Sequence, residues 1–186
     1  QKDLNETTLR LYQTQLNPHF LYNTLDTIKW NAKINQIPEI AVLAENLAVI
    51  LRKSISSKPF VTLREELDTI DSYIRIQKIR FSGRFLYETE IPDLLEESMI
   101  PKMILQPLIE NSFTHGRVLM VPEGRIEVRA ELRESNLVLI VSDNGLGSDA
   151  ERIRQLNQEL STLRSSILER KDRSGTPMPP RHAIAE

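Results

Sequence analysis

Apolar residues along the chain fall first at helical and then at strand spacing, and the change divides the sequence. From Asp3 to about Lys33, Leu9, Tyr12, Leu16 and Phe20 form one stripe and Leu21, Leu25 and Ile28 a second, which predicts a helix with apolar neighbours on two sides. Ile40, Leu43, Leu47, Ile50 and Leu51 repeat the helical pattern after a short connection at Asn35-Gln36-Ile37-Pro38. One hairpin of this size cannot cover that much apolar surface, whereas two copies together make a four-helix bundle. The pattern therefore predicts a homodimer.

A polar break from Ser54 to Pro59 leads into Thr62-Leu63-Arg64-Glu65, the pattern of a capping box, and a third helix is predicted to run to about Phe81, where Ser82-Gly83 ends it. Phe85, Tyr87, Thr89 and Ile91 then alternate with polar neighbours, the spacing of a half-buried strand. Pro101 is read as opening another helical segment through His115-Gly116, after which Ile126, Val128, Ala130 and Leu132 alternate as a strand. Ser135-Asn136 is the predicted turn into the apolar run Leu137 to Val141, a central strand that empties into Asp143-Asn144-Gly145-Leu146-Gly147. Asp149 to Lys171 has a charged helical pattern, and the Ser, Gly, Thr and Pro residues from Asp172 to Pro180 predict a mobile loop. The predicted class is thus α followed by α/β, with division at 58/59.

Composition narrows what such a chain can do. With 24 basic and 26 acidic residues the net charge is −2, and no Lys or Arg cluster is dense enough to track a phosphate backbone, which disfavours nucleic acid. The absence of cysteine excludes disulfides, thiolate chemistry and thiolate metal sites, and fits a reducing compartment. No run approaches the roughly 18 apolar residues of a spanning helix, and no signal-peptide pattern opens the chain. Gln1 in place of an initiator Met and the ending at Ala185-Glu186 lead to the expectation of a piece excised from a longer protein, cytosolic over this stretch.

Only three histidines are available for chemistry that needs an imidazole: His19, His115 and His182. His19 follows Pro18 within the first helical pattern, where proline cannot donate to the carbonyl of Thr14 and a kink costs about 3 kcal/mol. Such a kink would present His19 at the rim of the apolar stripe; the plain alternative is a polar residue on a bundle surface. Asn23 lies four residues on, hence on the same helix face. Glu110, Asn111 and His115 share a later helical segment, and Asn111 and His115 share one face of it. Asp143, Gly145 and Gly147 follow a strand. There a carboxylate can accept the exocyclic amine of adenine, and glycines allow close backbone approach or positive φ. An ordinary Asp-Asn-Gly turn reads the same way in isolation.

The run Gln15-Leu16-Asn17-Pro18-His19-Phe20-Leu21-Tyr22-Asn23-Thr24-Leu25 resembles the phospho-acceptor box of the LytS/YesM-like sensor histidine kinases. The resemblance continues through Leu63-Arg64-Glu65-Glu66-Leu67, Tyr73-Ile74-Arg75-Ile76-Gln77, Arg80-Phe81 and the segment from Pro101 to Asn111, covering roughly residues 5 to 147. It implies a dimerising phosphotransfer hairpin over 1–58. After it, over 59–186, comes an ATP-binding α/β sandwich of the GHKL type shared by gyrase, Hsp90 and histidine kinases, incomplete at its C-terminal end. His19 would take the γ-phosphoryl group of ATP and pass it to an aspartate of a response regulator. Asn111 would be the Mg²⁺ ligand, and Glu110 would orient a metal-bound water or act as base. Asp143, Gly145 and Gly147 would form the adenine site. His115 has either a phosphate contact or a surface role.

By analogy with other histidine kinase families, Asn23 would hold a water for dephosphorylation of the regulator. Full-length relatives of this kind imply a bacterial inner or cell membrane anchor lying outside this chain. Two features depart from the family: Phe20 stands where an acidic residue often follows the histidine, and Ala183 and Ala185 stand where a second glycine-rich box is usual. The rival reading is accordingly a non-catalytic docking module or pseudokinase with impaired ATP binding.

Overall fold

The structure, a computed structural model, describes residues 18–147, 151, 153–155 and 157–162. Its elements mix helix and sheet, as the change of period predicts. The first two helices are α1 (Pro18–Ile34) and α2 (Pro38–Ile55), joined by a short bend in which Ile37 N–H donates to Ala32 O and Gln36 takes φ 59°. The helices meet through small residues, since Ala32, Ala41 and Ala44 are the buried apolar positions of the pair. The kink expected at Pro18 depends on preceding residues that lie outside the described ones.

Strand β1 (Phe60–Thr62) leads directly into α3 (Leu63–Arg80). The capping box forms: Thr62 Oγ1 accepts from Glu65 N–H at 3.1 Å, and Glu65 Oε2 accepts from Thr62 N–H at 3.0 Å. Helix α3 packs on α2 and buries Leu63, Ile70 and Ile74. Strand β3 (Met99–Pro101) pairs antiparallel with β1, Phe60 opposite Pro101 and Thr62 opposite Met99. Pro101 therefore ends a strand and does not open a helix. The next helix, α4 (Leu105–Thr114), starts four residues later.

The second sheet has the order β2-β4-β5, from β2 (Phe85–Glu90), β4 (Gly124–Arg133) and β5 (Asn136–Asp143). The pair β2·β4 is parallel and crosses over through α4, whereas β4·β5 is a hairpin. Among the described residues β4 is the central strand and β5 an edge, the reverse of the expectation drawn from the apolar run. The turn is also one residue earlier than expected: Arg133 pairs with Asn136, and Glu134 and Ser135 carry φ 48° and 67°. That is the left-handed pair of a two-residue hairpin turn with the right twist for its strands. Ile126, Val128 and Ala130 alternate inward along β4 as predicted, whereas Leu132, expected to continue the row, is exposed near the hairpin turn, and Phe85 and Phe113 meet edge to face at 5.0 Å.

The described chain divides into two compact units: residues 18–84 with Glu96–Gln106, and Phe85–Leu95 with the residues from Pro107 onward. This grouping places α3 with the hairpin. The predicted charged helix is helical at 151, 153–155 and 157–162. The loop over 172–180, His182, Ala183 and Ala185 lie outside the described residues.

Candidate functional site

His19 sits in the first turn of α1 and is exposed. Helical spacing brings Asn23 beside it, with Nδ2 3.2 Å from His19 Nδ1. The amide thus occupies the Nδ1 side of the ring and leaves Nε2 as the nitrogen clear of that contact. The only carboxylate on α1 is Asp26, two turns on, and it is committed elsewhere: Lys29 Nζ lies 2.8 Å from Asp26 Oδ1. The hydrogen bond and charge of Lys29 hold the Asp26 carboxyl below its ordinary range. A base for His19 is therefore not supplied by the described part of its own helix.

The second cluster forms where α4 ends near the end of β5. Asn111 is exposed in the second half of α4, and its main-chain carbonyl accepts from both His115 N–H (2.8 Å) and Gly116 N–H (2.9 Å). The helix stops at Thr114, so exposed His115 belongs to the terminal turn and not to the helix proper. Glu110, half-buried, precedes Asn111.

Asp143 closes β5, and its Oδ1 accepts from Gly145 N–H at 2.9 Å, an Asx turn that fixes the direction of the loop. A Cβ on Gly145 would stand 2.0 Å from Gly116 O, and one on Gly116 would stand 2.6 Å from Asp143 Oδ1. These two glycines are required by space, because backbone and carboxylate are in mutual contact. Gly147 is required by conformation: its φ is +70° with open space around it. Asn144 turns to the scaffold, its Oδ1 accepting from Arg125 N–H (2.6 Å) and its Nδ2 donating to Glu123 O (3.1 Å).

The structure thus brings His19 to Asn23, and it brings the Asn111–Gly116 turn to Asp143 and Gly145. Sequence reasoning missed the part played by Gly116. Its only signal is a glycine directly behind the Glu-Asn helix; the carboxylate that demands it lies 27 residues further on. Among the described residues no three His, Cys, Asp or Glu side chains gather as a metal cage. Asn111 alone suits an ion that keeps its waters and shares phosphate oxygens.

A family model described as histidine kinase matches residues 7–85, which include His19 and Asn23. The chain belongs to the histidine kinase family. Within it, the chain is 40% identical over 147 residues to sensor histidine kinase YesM of Bacillus subtilis, a match covering 78% of this chain and 26% of that protein. It is 35% identical over 143 residues to sensor histidine kinase BtsS of Escherichia coli, covering 76% of this chain and 25% of the relative. Sensor protein kinase HptS of Staphylococcus aureus is 34% identical over 163 residues, covering 87% and 31%. The chain spans between a quarter and a third of the length of these curated relatives. No helix among the described residues is long and apolar enough to cross a membrane.

Proposed function

We propose that this chain is the phospho-accepting and nucleotide-binding part of a two-component sensor kinase, in which His19 is phosphorylated from ATP and then donates to a response-regulator aspartate. The observation that carries the nucleotide half is the cradle at the end of β5. The Asp143 carboxylate stands between two glycines, neither of which has room for a side chain. A carboxylate there accepts from the amine of adenine and is mismatched with the carbonyl of guanine. Gly145 lets the loop close onto Gly116, Gly147 faces open space and keeps the approach open, and His115 offers an imidazole for a phosphate contact.

Asn111 is the residue to hold Mg²⁺, which when bound neutralises phosphate charge; Glu110 stands next to it to orient a water or accept a proton. Neutral His19 is the nucleophile, because an imidazolium has no ring lone pair left to attack with. An unprotonated imidazole nitrogen of His19 attacks the γ-phosphorus, the bond from that phosphorus to the β–γ bridging oxygen breaks, and ADP leaves with that oxygen. Positioning and charge neutralisation supply most of the catalysis in such transfers, which accords with the lack of an elaborate triad. Asn23, hydrogen-bonded beside the acceptor, is placed to hold a water against a docked phospho-regulator.

The apolar residues exposed on α1 and α2 support pairing of two hairpins into a four-helix bundle, and the mixed sheet with α4 is the beginning of a GHKL-type sandwich. We place the chain in the bacterial cytoplasm, in a protein anchored to the inner or cell membrane by other segments. Titration with ATP and GTP, with and without Mg²⁺, tests the reading. Selective, Mg²⁺-dependent ATP binding supports it, and equal binding of ATP and GTP overturns the adenine site.

A further inference from the structure

Three helix ends meet on the small β1·β3 ribbon, and each is closed by a group of the appropriate charge or by main chain. The first turn of α3 donates Leu63 N–H to Ser98 O and Arg64 N–H to Glu96 O, both at 2.9 Å. At the C-terminal end of α2, Lys102 Nζ donates to Ser54 O (2.9 Å) and Ser56 O (2.5 Å), a cation on the negative end of a helix. Helix α4 starts on Glu66. This carboxylate is 2% exposed, its Oε2 accepts from Met103 N–H (2.9 Å), and its Oε1 accepts from Leu105 N–H (3.1 Å). A buried anion there satisfies a main-chain donor that the helix itself cannot.

Lys102 and Met103 are consecutive, so one short turn is tied at one residue to α2 and at the next to α3. Met103 takes φ 60°, a conformation seldom adopted by a residue with a side chain. The turn is held in that form by the two flanking attachments. From it α4 runs to Glu110 and Asn111, and Asn111 lies less than two turns beyond Leu105.

We infer that Lys102 and Glu66 are positioning residues, acting together to fix the first turn of α4, the helix that carries Asn111. The inference deepens the proposed nucleotide site and rests on Asn111 being its Mg²⁺ ligand.

The test compares Glu66→Gln, Lys102→Met and the double variant in the intact protein, by amide hydrogen exchange and by the ATP dependence of phosphorylation. Glu66→Gln should speed exchange at Leu105 by about 10-fold or more, the scale of a lost charge-assisted bond, while Ile70 and Ile74 in α3 keep their protection. It should raise KM for Mg·ATP by about 10-fold and leave phosphorylation at saturating ATP little changed, since His19 is untouched. Lys102→Met should move both readouts the same way by less, and the double variant should be no worse than Glu66→Gln alone. Lys102→Met leaves the Glu66 bonds in place and decides the matter should Glu66→Gln fail to fold. Unchanged exchange at Leu105 in every folded variant, additive effects in the double variant, or faster exchange with an unchanged KM each overturns the inference. Absence of ATP binding by the unsubstituted protein overturns the proposed site instead, and the exchange results at Leu105 still judge the attachment.

Discussion

Ile34, at the end of α1, is 76% exposed, whereas Ile126, in β4, is completely buried, and the two isoleucines stand for their regions. The hairpin buries alanines and leaves Phe20, Trp30, Ile34, Ile40 and Leu47 on its surface. The β2-β4-β5 unit does the opposite, enclosing Phe85, Ile109, Val118, Ile126, Val128 and Val138. One region has its own core; the other leaves large apolar side chains exposed among the described residues. The difference separates two uses of apolar residues. In the sheet they hold the Asp143–Gly145 turn to fixed dimensions, and in the hairpin they leave an apolar surface on the helices that carry His19.

The most severe test removes the acceptor. His19→Ala should abolish acid-labile, base-stable phosphate on the full-length protein and leave the fold intact, because an exposed imidazole contributes chemistry and little packing. A retained label would move the acceptor to another histidine and take the hairpin's chemical role away. Next, the two isoleucines are compared directly by urea unfolding. Ile126→Ala should cost about 2–5 kcal/mol, whereas Ile34→Ala should stay within about 0.5 kcal/mol for the isolated fold and weaken self-association in light scattering. Equal costs would erase the contrast between the regions.

Asp143→Asn should weaken ATP binding by about 10-fold or more, the equivalent of the roughly 1.5–3 kcal/mol of a hydrogen bond to a charged group, with the urea midpoint little moved. The finest distinction lies within the hairpin. Asn23→Ala should slow dephosphorylation of the regulator and leave labelling of His19 largely intact, because placing a water is worth several kcal/mol in a barrier. Loss of both activities would make Asn23 part of the kinase step.

What the sequence discloses follows the range of the interactions involved. The capping box of Thr62 and Glu65, the hairpin of α1 and α2, and the inward alternation along β4 depend on neighbours a few residues apart, and all were legible. The β1·β3 ribbon was not, because three-residue strands show no period and Pro101 looks like a helix opener until β1 is seen beside it. Glu66 reads as one more acid in an acidic first turn; its function as the start of α4 depends on amides 37 and 39 residues away. The site divides on the same principle. His19 and Asn23 are four apart and were paired on spacing alone, whereas the fit of Asp143 against Gly116 exists only once α4 and β5 end together.

Asn144-Gly145 is also the kind of dipeptide that ages fastest in proteins, since an unhindered glycine nitrogen can attack the preceding side-chain amide and expel ammonia. In the folded chain both partners are occupied. The amide of Asn144 is bound to Arg125 and Glu123, and the nitrogen of Gly145 is turned toward Asp143 Oδ1. The loop after β5 thus carries its own clock, stopped by folding and started by unfolding. Peptide mapping after long incubation should find Asn144 intact in native protein and converted to aspartate and isoaspartate in urea, a chemical record of how much time the β5 end has spent open.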